Sequence, residues 1–173
     1  MIELMQFVST RNTRYAMCQP WVASGYKYAT DGRIILKLPT PEADSLPDGK
    51  TPPVDKLFDK MVPEHCTADY ATAGKFVDCK IKCSECFGSG GHDCETCHQW
   101  VDCATCSGQC DTDGKARELI TGFRIQDKYD KLLLTLPGLK YDPAVVIRRP
   151  MFFVFDGGCG AVMPLDTWVR FRS

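Results

Sequence analysis

The alternation of apolar and polar residues predicts a chain rich in short β-strands. Tyr26–Ala29 and Arg33–Leu38 flank the pair Asp31-Gly32, which favours a hairpin because its turn needs positive φ. Lys75–Lys82 alternates in the same way and leads into a cysteine-rich segment. Further strand candidates are Arg117–Ile125, Val145–Arg148, Met151–Phe155, Ala161–Leu165 and Trp168–Arg172, with a turn at Asp156–Gly158.

Two segments have the 3.6-residue period of an amphipathic helix. The first starts after the capping residue Thr51 and ends at Pro63, and the second starts at the N-cap Asp127 and ends at Pro137. Their apolar stripes are Val54, Leu57, Phe58, Met61 and Val62 in the first, and Tyr129, Leu132, Leu133 and Leu136 in the second. Strands surround both helices, so the order of elements predicts an α+β fold.

Composition and charge place the chain among globular proteins. It has 173 residues, is 44% hydrophobic and 25% charged, and has a formal net charge of −1. No apolar run approaches the roughly 18 residues of a membrane helix, and the first residues lack the basic region of a signal peptide. We therefore expect a cytoplasmic protein with no membrane association.

Cysteine spacing is the strongest chemical signal in the sequence. Eight of the 11 cysteines fall between positions 79 and 110, and three C-x-x-C pairs stand among them. Without a secretion signal such pairs predict metal ligands rather than disulfides, and a C-x-x-C turn places two thiolates on one zinc ion. The candidate ligands are Cys79, Cys83, Cys86, Cys94, Cys97, Cys103, Cys106 and Cys110, with His92 and His98 in reserve.

Eight cysteines can form two four-cysteine sites, so we expect two zinc ions, and one at minimum. In one partition the first and last C-x-x-C pairs share a zinc ion, and the strands that flank the segment then bring Cys79 near Cys110. Its two sets are Cys83, Cys86, Cys103 and Cys106, and Cys79, Cys94, Cys97 and Cys110. The rival sets are Cys83, Cys86, Cys94 and Cys97, and Cys79, Cys103, Cys106 and Cys110. Spacing alone leaves both partitions open.

Closed four-cysteine sites predict a structural role for the metal, because they leave no open position for catalysis. Two other interpretations compete with structural zinc. A redox dithiol normally occurs as a single C-x-x-C near a βαβ pattern, which this sequence lacks. An iron–sulfur cluster is the remaining alternative.

The cysteine segment also matches a known repeat in part. Cys83–Gly90 fits C-x-x-C-x-G-x-G, Cys103–Gly108 fits it as far as the first glycine, and the pair Cys94 and Cys97 keeps only the cysteines. This segment resembles the cysteine-rich zinc domain of DnaJ-type chaperones, although it has fewer repeats. The chain lacks the His-Pro-Asp tripeptide of the J-domain, so the resemblance implies a zinc-binding insertion at 79–110 without chaperone activity.

A second resemblance concerns residues 1–78 and 111–173. Tyr28–Ile34, Phe123–Tyr129 and Ala161–Leu165 are similar, in the family's order, to segments of bacterial DNA-polymerase sliding-clamp domains. The resemblance implies a single clamp-like domain of antiparallel sheets and two helices, interrupted by the zinc insertion. This arrangement resembles uncharacterised phage and prophage proteins. A clamp ring needs several such domains, so we do not expect the chain to encircle DNA.

These observations predict a non-enzymatic zinc-binding module that binds a protein of phage or host replication or defence. The sequence has no Walker lysine, nucleophile elbow or His-Glu-x-x-His motif. Positions 83–110 lack Lys and Arg, so this segment should repel nucleic acid. The candidate partner-binding residues are Phe87, Trp100, Glu85, Asp93, Glu95 and Asp102, although the two aromatic residues could simply cover the metal sites.

Two other functions fit the same sequence. A DNA-binding accessory factor would use basic strand residues, and the candidates are Lys80, Lys82, Arg148, Arg149, Arg170 and Arg172. A zinc chaperone or thiol oxidoreductase would use the cysteines themselves.

Overall fold

The computed structural model describes residues 2–9, 18–45, 54–83, 85–86, 89–93 and 97–165. The strands are β1 (Trp21–Ala23), β2 (Tyr26–Thr30), β3 (Ile34–Pro39), β4 (Ala68–Asp69), β5 (Lys75–Lys82), β6 (Gly91–Asp93), β7 (Trp100–Asp102), β8 (Asp111–Ile120), β9 (Phe123–Gln126), β10 (Lys140–Tyr141), β11 (Met151–Phe155) and β12 (Gly158–Val162). The helices are α1 (Asp55–Phe58) and α2 (Asp127–Leu133), with 3₁₀ turns at Leu4–Phe7 and Pro63–His65.

The strands form three antiparallel sheets. The first has the order β1-β2-β3-β12-β11-β10-β4, the second β5-β8-β9, and the third is the hairpin β6-β7. Together with the two helices, these sheets confirm the α+β class. Within the described residues, no helix has both the length and the apolar character needed to span a membrane.

The seven-stranded sheet has apolar residues packed on both faces. Successive residues of β3 alternate between two clusters, as the two-residue period of a strand requires. Ile34 packs in the cluster that contains Leu133 of α2, whereas Ile35 packs in the cluster that contains Phe58 of α1. The two helical stripes predicted from the sequence therefore cover opposite faces of this sheet.

The hairpin predicted around Asp31-Gly32 is confirmed. Gly32 has a φ of +90°, and the Asp31 carboxylate accepts hydrogen bonds from the backbone N–H groups of Arg33 and Ile34. The Tyr129 hydroxyl of α2 donates a 2.7 Å hydrogen bond to Asp31 as well. Burial, and then Asp31, raise the pKa of Tyr129, which keeps its hydroxyl protonated as the donor. One turn residue thus fixes the hairpin and joins it to α2.

Several predicted boundaries in the second half of the chain were wrong. Arg117–Ile125 is not one strand, because a turn at Gly122 (φ +85°) separates β8 from β9. Val145–Arg148 is irregular, and the short strand β10 precedes it instead. The predicted strand Ala161–Leu165 is shifted toward the N-terminus, since β12 starts at Gly158 and ends at Val162. Trp168–Arg172 lies outside the described residues.

The predicted helices are also shorter than their apolar stripes. Beyond Phe58, the N–H of Met61 bonds to the Phe58 carbonyl, an i to i+3 bond that ends the α-helical ladder of α1. Gln126, rather than Asp127, occupies the N-cap of α2. Asp127 forms instead a 2.6 Å ion pair with Lys131 one turn later. The predicted cap Thr51 lies outside the described residues.

A buried ion pair connects the two sheets through α2. The side chains of Arg117 in β8 and Asp130 in α2 are 9% and 1% exposed, and their charged groups are hydrogen-bonded. The Tyr70 hydroxyl also donates to Asp130, at 2.9 Å, and Arg117 donates at 2.8 Å to the carbonyl of Ala73. Burial, and then Asp130, raise the pKa of Tyr70, so its hydroxyl stays protonated.

β5 and β8 form a ribbon that positions the cysteine segment. Their register runs without a break from Lys75 opposite Glu118 to Lys82 opposite Asp111. β8 residues near the body, such as Ala116, are buried, whereas the outer half of β5 is partly or fully exposed. Residues 83–110 therefore start and end at neighbouring points on the tip of this ribbon.

This geometry predicts that residues 83–110 can be removed without unfolding the body. Ile81 and Thr112 lie opposite each other at a hydrogen-bonding position of the ribbon, so an Asn-Gly turn in place of residues 82–111 can join them as a two-residue hairpin loop. We expect the shortened chain to unfold cooperatively, with a free energy of unfolding within about 1 kcal/mol of the full chain. Urea unfolding followed by fluorescence of the buried Trp21 measures this. Loss of the cooperative transition would show that the body depends on the cysteine segment.

Candidate metal centre

Four cysteines converge at the tip of the ribbon. The sulfur atoms of Cys83, Cys86, Cys103 and Cys106 all lie within 4.8 Å of one another. Two Sγ–Sγ distances, Cys83 to Cys103 and Cys86 to Cys106, are both 3.7 Å. Three of the four side chains are buried, and Cys86 is partly buried. These residues are close enough to bind one metal ion.

The sulfur spacing fits a tetrahedral site. A metal bonded to four thiolates at about 2.3 Å places its sulfur atoms about 3.8 Å apart, which is close to the 3.7 Å observed. A disulfide would need about 2.05 Å, so these cysteines are not paired covalently. The arrangement therefore suits a single closed four-thiolate centre without an open coordination position.

Two similar turns supply the four thiols, one from each side of the site. The N–H of Ser89 bonds to the Cys86 carbonyl at 3.0 Å, and the N–H of Gln109 bonds to the Cys106 carbonyl at 2.9 Å. In both turns a backbone N–H four residues after the second cysteine donates to its sulfur. The donors are Gly90, at 3.3 Å from the Cys86 sulfur, and Cys110. The repeated C-x-x-C sequence thus folds into a repeated local structure.

Gly90 is required where the two turns meet. Its φ is +88°, and a Cβ added there would lie 2.8 Å from the Gly108 carbonyl oxygen and 3.0 Å from the Cys110 sulfur. Both contacts are too short for a side chain, and the backbone conformation itself favours glycine. Close packing behind the site thus explains the glycine at position 90.

Backbone amides favour the anionic form of one thiol before any metal binds. The N–H groups of Cys106 and Thr105 point at the Cys103 sulfur and lower the pKa of that thiol. Burial has the opposite effect on Cys106 and raises its pKa to about 12. A cation at the centre would stabilise all four thiolates, so metal binding should release protons.

Cys79 and Cys110 do not meet as the first partition requires. Cys79 lies opposite Gly114 in the ribbon, whereas Cys110 accepts a 3.1 Å backbone hydrogen bond from Cys83. The four strand positions between Cys79 and Cys83 correspond to about 13 Å. The predicted convergence of Cys79 and Cys110 was therefore wrong, because continuous strand pairing keeps them at different heights along the ribbon.

The other predicted ligands lie away from the four-cysteine centre. The hairpin β6–β7 starts beside the centre, where the backbone N–H of Cys103 donates a hydrogen bond to the Gly90 carbonyl. Cys97 lies in the connection at the opposite end of this hairpin. Cys97, His92 and His98 are all exposed, and Cys94 lies outside the described residues. Because Cys83 and Cys86 group with Cys103 and Cys106 rather than with Cys94 and Cys97, the rival partition was wrong.

A second zinc ion stays a prediction.

Three of the six predicted partner-binding residues, Asp93, Trp100 and Asp102, lie on one face of the β6–β7 hairpin. Trp100 lies opposite Asp93, and Asp102 lies opposite Gly91, so the four positions share a face. The Trp100 ring rests on Gly91, where an added Cβ would lie 2.8 Å from it, yet 56% of the tryptophan is exposed. Glu85 is also exposed, and Phe87 and Glu95 lie outside the described residues.

One exposed apolar residue was missed by the sequence analysis. Val101 is 43% exposed and lies with His92 on the opposite face of the same hairpin. A three-residue strand is too short to produce a recognisable alternation, so only the strand pairing reveals this second face.

The basic residues of the DNA-binding alternative belong to two separate segments of the described chain: Lys80 and Lys82 lie in β5, and Arg148 and Arg149 lie between β10 and β11. Lys80 is paired with Asp113 at 2.7 Å and lies 4.0 Å from Asp111. Arg148 has a φ of +66° in the irregular segment after β10, and Arg149 follows it. Arg170 and Arg172 lie outside the described residues.

No protein-family model, curated protein or solved structure matches this chain. The similarities to DnaJ-type zinc domains and to sliding-clamp domains therefore stay predictions from sequence.

Proposed function

We propose that residues 83–110 form a structural zinc knuckle that presents an acidic, aromatic face to a basic segment of a protein partner. The observation that carries the proposal is the exposure of Trp100 between Asp93 and Asp102. Tryptophan in such a position is typical of the residues that dominate binding energy at protein interfaces. The proposed activity is binding and not catalysis.

Zinc is the metal that best fits the site. Four thiolates in a tetrahedron are typical of zinc or of an iron–sulfur centre, and two C-x-x-C turns that together close a four-cysteine site are the usual ligand set of structural zinc. The flanking glycines and the N–H···S bonds of Gly90 and Cys110 provide the tight turns that such a site needs. We propose one zinc ion bound by Cys83, Cys86, Cys103 and Cys106, and a second zinc ion would require other ligands.

Charge favours a basic protein segment over nucleic acid. Positions 83–110 contain four carboxylate residues and no Lys or Arg, and a zinc tetrathiolate adds a formal charge of −2. The resulting formal charge of −6 would repel phosphates, which DNA-binding proteins must neutralise with cations. A Lys or Arg side chain can instead lie on the Trp100 ring and pair with Asp93 or Asp102.

The sequence resemblances suggest where such a partner would act. A body that resembles a single sliding-clamp domain, as in phage and prophage proteins, favours a partner in replication or defence machinery. We propose this class of partner on the resemblance alone.

Site-specific photocrosslinking tests the proposal directly. A photoreactive amino acid at position 100 should capture a defined protein from cell lysate, whereas the same probe at position 101, on the opposite face, should not. Against that purified partner, Trp100→Ala should weaken binding by about tenfold or more. Asp93→Asn with Asp102→Asn should also weaken it, while the matched control His92→Ala should have little effect.

Equal capture from positions 100 and 101 would contradict the proposed face. DNA binding provides the other decisive outcome. Tight binding to duplex DNA that falls steeply with salt and is lost in Arg148→Ala with Arg149→Ala would favour the accessory-factor function.

A further inference from the structure

β5 is a long strand at the edge of its sheet. In the order β5-β8-β9 it pairs only with β8, and none of the other described strands covers its second edge. Its eight residues alternate between exposed and partly exposed positions along most of their length. Such an edge offers unpaired backbone groups to another strand unless something prevents it.

The ladder shows which backbone groups point outward. The N–H of Cys83 bonds to the Cys110 carbonyl, so position 83 directs its backbone polar groups toward β8. In an antiparallel pair these directions alternate along the strand, so the odd-numbered positions of β5 share that direction. The even-numbered residues Phe76, Asp78, Lys80 and Lys82 therefore direct their N–H and C=O groups to the open edge.

This alternation restricts how two copies of β5 can pair. Even-numbered residues of one copy must lie opposite even-numbered residues of the other, so the symmetric pairing is centred on a residue. A pairing centred on Asp78 or on Lys80 places that residue opposite the same residue of the second copy, so that like charges face each other. Centring on Cys79 places Asp78 opposite Lys80 of the partner subunit, twice by symmetry.

The remaining pairs in this register are also favourable. Val77 lies opposite Ile81 of the partner subunit, and Phe76 lies opposite Lys82 of the partner subunit. Both Val77 and Ile81 are partly exposed in the single chain. Lys80 is already held beside Asp113 at 2.7 Å, so less side-chain freedom is lost when a second carboxylate approaches.

We propose that a second copy of this chain binds along β5 in antiparallel register, with Cys79 on the two-fold axis. The two three-stranded sheets then join into one continuous sheet. This association rests on strand pairing and charge complementarity, and it is independent of the surface proposed for the protein partner.

Charge exchange at Asp78 and Lys80 tests the register. Asp78→Lys and Lys80→Asp each replace two opposite-charge pairs by two like-charge pairs, so each should weaken dimerisation by about tenfold. The double variant restores opposite charges and should dimerise like the natural chain. A mixture of the two single variants should form a heterodimer, since every cross-strand pair is then complementary. Sedimentation velocity over a concentration series measures all four samples.

Cys79 provides a second readout. Residues opposite each other at a position without cross-strand hydrogen bonds have Cα atoms about 4.5 Å apart, within the range of a disulfide. Mild oxidation with diamide, which takes one hydrogen atom from each thiol, should therefore link two chains through Cys79. Cys79→Ser should abolish this covalent dimer, whereas Cys97→Ser, which removes an exposed thiol outside the four-cysteine centre, should not.

A chain that stays monomeric at all concentrations would overturn the proposal. So would a dimer that neither single charge variant weakens, or a disulfide-linked dimer that forms equally well without Cys79. Recovery of dimerisation in the double variant and in the mixture would support the register, since neither a folding defect nor nonspecific association predicts it.

Discussion

Replacing Cys106 with serine is expected to abolish metal binding and to unfold residues 83–110 while the body stays folded. Structural zinc sites contribute about 10–16 kcal/mol of binding free energy, and the described residues of this segment bury few other apolar side chains. Its buried cluster consists of Cys83, Cys103 and Cys106, with Cys86 packed against it. Elemental analysis of the purified chain measures the metal, and hydrogen exchange of residues 83–110 measures the folding.

The natural chain should contain one zinc ion at this centre, with sulfur ligands at about 2.3 Å by X-ray absorption. Cys97→Ser is the matched control, because Cys97 is exposed and lies beyond the far end of β6–β7. This control should keep the metal and the protection from exchange. Full metal retention in Cys106→Ser would contradict the assigned ligands, and iron with visible absorption would contradict zinc. A second zinc equivalent would support an additional site that includes Cys94.

Replacing Asp130 with asparagine is expected to destabilise the body by about 3–5 kcal/mol. The substitution keeps the shape of the side chain but leaves the buried Arg117 guanidinium without its counter-charge. Burial acts to lower the pKa of Arg117, yet hydrogen bonding to Asp130 raises it, so the arginine stays charged in the core. The Tyr70 hydroxyl also loses its charged acceptor. Urea unfolding monitored by far-UV circular dichroism gives the free energy of unfolding.

Asp127→Asn is the control on the same helix. Asp127 pairs with the exposed Lys131, and such a surface pair contributes about 0.3–0.5 kcal/mol. A double substitution, Arg117→Met with Asp130→Leu, should recover much of the lost stability, since it removes both buried charges together. Equal effects of Asp130→Asn and Asp127→Asn would show that the buried pair contributes no more than a surface pair.

The sequence located the four candidate metal ligands among its eight clustered cysteines because local spacing alone determines part of such a site. Each C-x-x-C turn holds two thiols within reach of one ion, whatever the rest of the chain does. The spacing left open which turns share an ion, because that depends on residues 20 positions apart. The pairing of β5 with β8 brings Cys83 beside Cys110 and allows the outer turns to meet.

Cys79 shows the limit of reasoning from spacing. Its distance of four residues from Cys83 matches that of Cys110 from Cys106, so the sequence suggests equivalent roles. In the structure Cys79 belongs to an extended strand, whereas Cys110 has a φ of +70° and closes a turn. An extended strand advances about 3.3 Å per residue, so Cys79 lies far from Cys83, whereas a turn folds the chain back and keeps Cys110 near Cys106.

The sequence by itself determined the first hairpin, strand β5, the apolar stripes of both helices and the C-x-x-C turns that supply the candidate metal centre. These features depend on interactions among near neighbours: turn geometry at Asp31-Gly32, side-chain periodicity and C-x-x-C spacing. Only the tertiary structure decided the partition of the cysteines, the buried pair of Arg117 with Asp130, the open edge of β5 and the exposure of Trp100. Each of these depends on which distant segments pack together, and a charge or an aromatic residue has the same local pattern whether it is buried, paired or exposed.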